Sequence, residues 1–378
     1  MRRKKRIASL PAALEPAGRT HVIQRGRKLC YFGGCDYFRL SSHARVLRAL
    51  GEGLKKFGLN VSASRMTTGN HPVYERLEKS LAAFFGAETA TLASNGWLPN
   101  SMVAEAFAGR FSHALIDERA HPSLADAARL LDCPVIKFRH RDAADVARHI
   151  RRLGAIKPLL LSDGMFSHDG SVAPLKEHLA ALPRGGWMLV DDAHGAGVLG
   201  KSGRGTLELA GVSRSRVVQT ITLSKAFGVF GGAVLGPAEL RSAIIERSGI
   251  FTGSTPLPPP LAWAALASVA VLKANRRLRE RLNQNVRHLR QRLREGGIAV
   301  PENPGPIVAL TPANAGEGRR LSRRVMAAGI HPPFIRYPGG PEGGSFRFAI
   351  SSEHTGEQLD RLAGVLTGRP DAVRPTPE

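Results

Sequence analysis

Between Trp187 and Gly236 the chain twice runs an apolar strand into residues that carry chemistry. The first passage reads WMLVDDAHGAGVLG and the second, after a loop, VVQTITLSKAFGVFGGAVLG. One strand ends in Asp191-Asp192-Ala193-His194, the other in Thr222-Leu223-Ser224-Lys225, and glycines follow both. Two strands ending this way deliver an acid, an imidazole and an amine to one sheet edge.

That trio suits pyridoxal 5'-phosphate (PLP), whose ring nitrogen, phenolic oxygen and aldehyde need those three partners. Lys225 is expected to form the Schiff base, which requires an amine whose charged form is disfavoured by its surroundings. Asp191 is expected to keep the pyridine nitrogen protonated, so that the ring accepts electrons from a substrate carbanion. His194 is placed near the phenolic oxygen. Thr222, at the end of the lysine strand, joins the cofactor-binding set.

Two other patterns are decoys. Gly195, Gly197 and Gly200 spell G-x-G-x-x-G, but a dinucleotide fingerprint opens a helix and meets an acid about 20 residues on. Here Lys201-Ser202-Gly203-Arg204-Gly205 continues as a loop, and residues 211–225 contain no Asp or Glu. Ser167-His168-Asp169 stand in a row, yet adjacent side chains point apart and cannot form a hydrolase relay.

A chain of 378 residues holds one large and one small domain, and its 43% hydrophobic fraction is that of a globular protein. No apolar run reaches membrane-spanning length. The basic start MRRKKRIASLPAAL is interrupted by Pro11 and leads into no signal-like apolar stretch, so a cytoplasmic chain is expected. Cys30, Cys35 and Cys133 are too few for a disulfide framework and lack the pairing of a zinc site, so no metal is assigned. Lys and Arg number 54 against 31 acids, a formal charge of +23. Such a surface attracts polyanions, among which CoA and acidic carrier proteins stand beside nucleic acid.

VDDAHGAGVLG and TLSKAFGVFGGA together resemble the α-oxoamine synthases, a family of PLP enzymes, and the first motif is most like its 8-amino-7-oxononanoate synthase branch. The resemblance runs from the Tyr37 region to the His354 region, with motifs in the family's order. It implies roles for further residues. Asn95, Gly96 and Trp97, at a strand–Gly–helix junction whose free N–H groups suit an anion, would cradle the cofactor phosphate. His121 would stack on the pyridine ring, leaving the opposite face to Lys225. Ser167, in GMFSHDG, would approach the phenolic oxygen. Ser254 and Thr255, in FTGSTPLPPP, would reach the cofactor phosphate of a neighbouring subunit, which implies a homodimer with shared sites. Arg347, in SFRFAI, would grip the substrate carboxylate with its planar fork. Asp36 lies in the DYFRLS stretch at the site entrance. Asp36, Arg39 and Tyr74 replace the family's usual Asn, Gly and His, and HPPFIRYPGGPEGG lacks its PPTVP pattern.

The fold expected is α/β, that of type I aminotransferases: a mostly parallel seven-stranded sheet between helices, with a small α+β C-terminal domain and the site at strand carboxyl ends. The expected divisions are an N-terminal arm (1–45), a large PLP-binding domain (46–275), a small domain (276–368) and a tail (369–378). The expected reaction is decarboxylative condensation of an amino acid with an acyl thioester of CoA or acyl carrier protein, giving an α-amino ketone. Alanine with a pimeloyl thioester, the biotin-pathway step, is the leading pair. A glycine or serine acyltransferase of the same family, an aminotransferase and, more remotely, a nucleic-acid-binding protein on a degenerate fold are the alternatives. Lys225, His121, Asp191 and His194 are the catalytic candidates.

Overall fold

The computed structural model of the chain describes residues 10–335 and 343–368. The expected tail and part of the HPPFIRYPGGPEGG stretch lie outside the described residues.

Seven apolar runs form one sheet. Across it the order is Thr89–Ala93, Gly232–Gly236, Val217–Thr222, Trp187–Asp191, Pro158–Asp163, His113–Asp117, Val135–Phe138. The last five are parallel to one another, while Gly232–Gly236 is antiparallel to both its neighbours. Strands covered on both faces read as continuous apolar runs, and the two-residue period sorts their side chains. Leu159, Leu161 and Leu189 pack with the helices Leu98–Phe107, Pro122–Ala128 and Ala238–Arg247. Leu160, Met188 and Val190 pack the other way, with Phe138, Val146, Leu175 and Leu207. Parallel strands bring their carboxyl ends to one edge, and Asp163 and Asp191 stand there as register partners.

The C-terminal part is built on the helix Arg276–Glu295. Its Leu278, Leu282, Leu289 and Leu293 are buried, as their helical spacing predicts. A three-stranded antiparallel sheet, Ile307–Leu310, Ser345–Ala349 and Phe334–Ile335, and the helices Ala315–Ala327 and Gly356–Thr367 complete it.

Two sequence expectations need correction. The arm shows no periodicity, yet His21–Gln24 and Arg27–Tyr31 form a hairpin. Its two-residue turn has Arg25 at φ 50 and Gly26 at φ 75, the positive pair that a type I′ turn requires. An arginine in place of the usual Asn or Asp hides that turn in the sequence. Cys30 and Tyr31 then pair in parallel with Ile330 and His331 of the C-terminal part. The second concerns the helix Ala44–Phe57: the spacing predicts a helix over His43 to Lys56 with Val46, Leu47, Leu50 and Leu54 on one face. The buried residues are Val46, Ala49 and Gly53, whereas Leu47 and Leu54 are exposed. Close approach decides the face: a Cβ at Gly53 would lie 2.9 Å from Pro260 Cα on the helix Pro259–Ala274.

The glycines that mimic a dinucleotide motif have packing causes: a Cβ at Gly197 would lie 2.9 Å from Ala226 Cβ, one at Gly200 2.9 Å from Glu208 Cβ, and Gly195 abuts the Asp192 carboxyl. Asp192 is wholly buried and accepts from Thr206 N at 2.8 Å and from Gln219 Nε2. Side chains added at Gly164, Gly195 or Gly205 would collide with its carboxyl. Burial raises that carboxyl from 3.8 to about 7, against the hydrogen bonds that lower it. Between those pH values the folded chain holds a proton that the unfolded chain has released, so stability falls as pH rises through that window. Asp192→Asn keeps an acceptor oxygen and removes the titration. Urea unfolding at pH 5 and pH 8 is expected to show that the parent loses roughly a few kcal/mol more than the variant over this range.

Candidate active site

At the carboxyl edge of the sheet lies a cavity of about 170 Å³, lined by Gly96, Trp97, His121, Asp163, Asp191, Ala193, His194, Thr222 and Lys225. Seven of these were singled out from sequence. They arrive from five strand ends and the loops after them.

Asp191 is fixed from several sides. Its Oδ2 accepts from Asn100 Nδ2 at 2.7 Å and from Ser123 Oγ at 3.4 Å, and its Oδ1 from Ala193 N at 3.1 Å. Asn100 sits wholly buried in an apolar helix, and its own Oδ1 accepts from Thr220 Oγ1 at 2.6 Å. Ser123 Oγ lies 2.8 Å from His121 Nδ1, and His121 N donates to Asp163 Oδ2 at 2.8 Å. The His121 ring meets Trp97 edge to face, with centroids 5.3 Å apart. One buried network therefore holds both the acid and the imidazole, with Ser123 as the support they share.

His194 is buried, with Nδ1 2.8 Å from the hydroxyl of Tyr37, itself buried. Burial, with the nearby Lys225, holds the imidazole well below its usual range, so it is neutral. His121 is likewise lowered by burial. Burial lowers the Lys225 amine too, against the opposing pull of Cys35, Asp191 and Asp163. Asp163 is pushed well above the carboxylate range by burial and by the adjacent Asp191. The cavity thus holds an amine with a weakened hold on its proton, two imidazoles biased toward the neutral form and an acid, Asp163, biased toward its protonated form beside Asp191.

Six other candidates do not line the cavity. Asn95 Oδ1 accepts from Trp97 N at 2.9 Å and Leu98 N at 3.3 Å, so its carboxamide starts the helix. Asp36 spends both oxygens on the backbone N–H groups of Leu40, 2.9 Å, and Ser41, 3.0 Å. Ser254 donates to Ile250 O at 2.6 Å and borders a separate hollow with Arg65 and Phe251, and Thr255 is exposed. Arg347 donates through Nη1 to Ser167 O at 3.0 Å, and its Nη2 lies 3.6 Å from Cys35 Sγ. Asn100, Tyr37, Asp163 and Cys35 were missed from sequence. Asn100 had a signal, because a carboxamide inside an apolar helix is buried and must find partners.

The residues present fit PLP. The donor set combines an amine, a hydrogen-bonded acid and aromatic rings. At Gly96 a Cβ would stand 2.6 Å from Thr222 Cβ, so only glycine leaves this wall open.

The aminotransferase class I and II family matches residues 34–366. This chain belongs to that family. The 8-amino-7-oxononanoate synthase of Thioalkalivibrio sulfidiphilus is 36% identical over 370 residues, covering 97% of this chain and 94% of the relative. That of Methylococcus capsulatus is 36% identical over 358 residues, covering 94% and 92%. A serine palmitoyltransferase of S. paucimobilis, solved with a PLP–myriocin adduct, superposes with a TM-score of 0.88 at 27% identity, covering 95% and 92%. The 8-amino-7-oxononanoate synthase of Francisella tularensis shares the fold, with a TM-score of 0.78 at 24% identity over 91% and 98%. The type I aminotransferase architecture expected from sequence is therefore the fold of this chain.

Asn100→Ala leaves Asp191 Oδ2 without its 2.7 Å donor. A hydrogen bond to a carboxylate is worth about 1.5–3 kcal/mol. PLP affinity, measured by absorbance titration, is expected to fall about ten- to a hundredfold, with the fold retained.

Proposed function

We propose that this chain is a PLP-dependent α-oxoamine synthase, which joins an amino acid to an acyl thioester with loss of CO₂ and thiol and yields an α-amino ketone. The observation that carries the reading is the meeting of Lys225, Asp191, His121 and His194 around one cavity. The relatives named 8-amino-7-oxononanoate synthase support alanine and a pimeloyl thioester as the first pair to test.

Bound PLP supplies an aldehyde that captures amines and a ring that draws electrons from the carbon beside the captured nitrogen. The protein supplies the rest. Lys225 Nζ, its charge disfavoured by burial, anchors the cofactor and then takes the proton from the substrate α-carbon. Asp191, oriented by Asn100 and Ser123, would hold the ring nitrogen protonated. His121 supports the ring and positions the acyl carbonyl. His194, kept neutral and oriented by Tyr37, would donate to the phenolic oxygen. Gly96, Trp97 and Thr222, with the backbone that Asn95 fixes, hold the phosphate end. Arg347 keeps further N–H donors beyond its bonds to Ser167 and Cys35 for the amino-acid carboxylate. In this reading residues 46–275 carry the cofactor and residues 276–368 bring Arg347 to its rim. Asp36 shapes the entrance through the turn it caps.

The protein is read as a homodimer, with Ser254 and Thr255 serving the partner's site. Leu47, Leu54, Trp97 and Phe230 are exposed apolar side chains available to such a contact. Among the described residues no helix is long and apolar enough to cross a membrane. An acyl donor whose leaving thiol is CoA or an acidic carrier protein complements the basic charge.

The test mixes the PLP-loaded protein with single amino acids and acyl-CoA candidates and follows thiol release. Thiol release that depends on alanine is the expected result. Amino-group transfer to a keto acid without thiol release would overturn the proposal in favour of an aminotransferase. Lys225→Ala is expected to abolish turnover and the lysine-linked cofactor band. Arg347→Met is expected to raise KM for the amino acid at least tenfold while the cofactor band persists.

A further inference from the structure

The turn bearing Ser167-His168-Asp169 forms no relay, but it faces a second histidine. We propose that His140, His168 and Asp169 bind one divalent transition-metal ion, best matched by Zn(II), outside the cofactor cavity. Their candidate ligand atoms lie within 4.8 Å of one another.

The two histidines come from different segments. His140 follows the strand Val135–Phe138. His168 and Asp169 sit in the tight turn after Pro158–Asp163, closed by Phe166 N to Ser171 O at 2.8 Å and Gly170 N to Phe166 O at 2.9 Å. The His140 ring packs edge-on against Phe166, centroids 4.4 Å apart, and lies 5.7 Å from the His168 ring.

His140 Nδ1 is 3.0 Å from Oδ1 of the buried Asp117. A carboxylate there accepts a hydrogen bond from Nδ1–H and so leaves the lone pair on Nε2, the arrangement that supports metal-bound histidines. That Nε2 is a buried atom without a hydrogen-bond partner, and so is Nε2 of His168. A buried polar atom without a partner calls for an explanation, and one cation accounts for these two nitrogens together. Asp169 Oδ2 stands 3.8 Å from His168 Nε2, while its Oδ1 is steadied by Ser171 N at 2.8 Å.

Two imidazoles and a carboxylate are a Zn(II) donor set, with water completing a tetrahedron. Bonds of about 2.0–2.2 Å put the donors roughly 3.3 Å apart, so the three must draw together by about 1.5 Å. Side-chain rotation suffices, because His168 and Asp169 are about a third exposed. The same exposure gives the ion an entry path. Arg119 and Arg141 lie nearby, but the carboxyls of Asp117 and Glu118, both hydrogen-bonded to this segment, offset them. The ion would sit one residue from Ser167, whose carbonyl holds Arg347.

The test uses the full PLP-loaded chain, stripped with a chelator and titrated with Zn(II) against a chromophoric competitor. One equivalent per chain is expected, with a rise in Tm on loading. His168→Met is expected to weaken binding at least a hundredfold and to erase the Tm rise. Asp117→Asn is expected to weaken it ten- to a hundredfold. Cobalt(II) loading is expected to give a four-coordinate visible spectrum in the parent and not in His168→Met. Because His168 and Asp169 lie on a partly exposed turn, their variants test the site even where His140→Ala fails to fold. Failure of the parent to bind, or unchanged binding in a His168→Met/Asp169→Asn double variant, overturns the proposal.

Discussion

Two neighbouring carboxyls at one strand end set the layout of this molecule. Successive side chains of a strand point to opposite sides, and Asp191 and Asp192 extend that divergence past the strand. Asp191 meets Asn100 and Ser123 and faces the cavity. Asp192 turns inward to Thr206 and Gln219, ringed by glycines that leave it just enough room. One acid addresses the ligand; the other pins the loop that carries His194. Gly164, Gly195 and Gly205, which lack a Cβ where the Asp192 carboxyl lies, make its inward placement sterically possible.

Much of this was legible because the site is delivered by strand ends. Uninterrupted apolar runs followed by polar residues and glycine announced the sheet. Asp191, His194, Thr222 and Lys225 then had to emerge on the same edge. What escaped reading was the support. Asn100 and Tyr37 act on Asp191 and His194 across long sequence separations, and no local spacing records such pairs. Leu47 and Leu54 misled for a different reason: their periodicity marks an apolar face, but sterics at Gly53 chose which face the neighbouring helix covers. Arg25 concealed a hairpin because its side chain says nothing about the positive φ it adopts.

The large arginine excess also has a partly structural explanation. Arg204, Arg214, Arg216, Arg241 and Arg290 each donate to backbone carbonyls, of Phe84, Phe85, Pro183, Ala90 and Gly305 respectively. A guanidinium with five donors can close loops and helix ends in this way. Part of the positive charge thus staples the backbone rather than advertising a polyanion site.

The hairpin at residues 21–31 finds its strand partner only at Ile330–His331, and Phe32 O accepts from Ala349 N at 2.7 Å. A ribosome adding about 5–20 residues per second makes that segment tens of seconds before its complement exists. Through this interval the nascent chain carries an open strand edge, a recognised route to mispairing between chains. The strand leading to Tyr37 thus stays without its sheet partner long after His194, the partner of the Tyr37 hydroxyl, has been made.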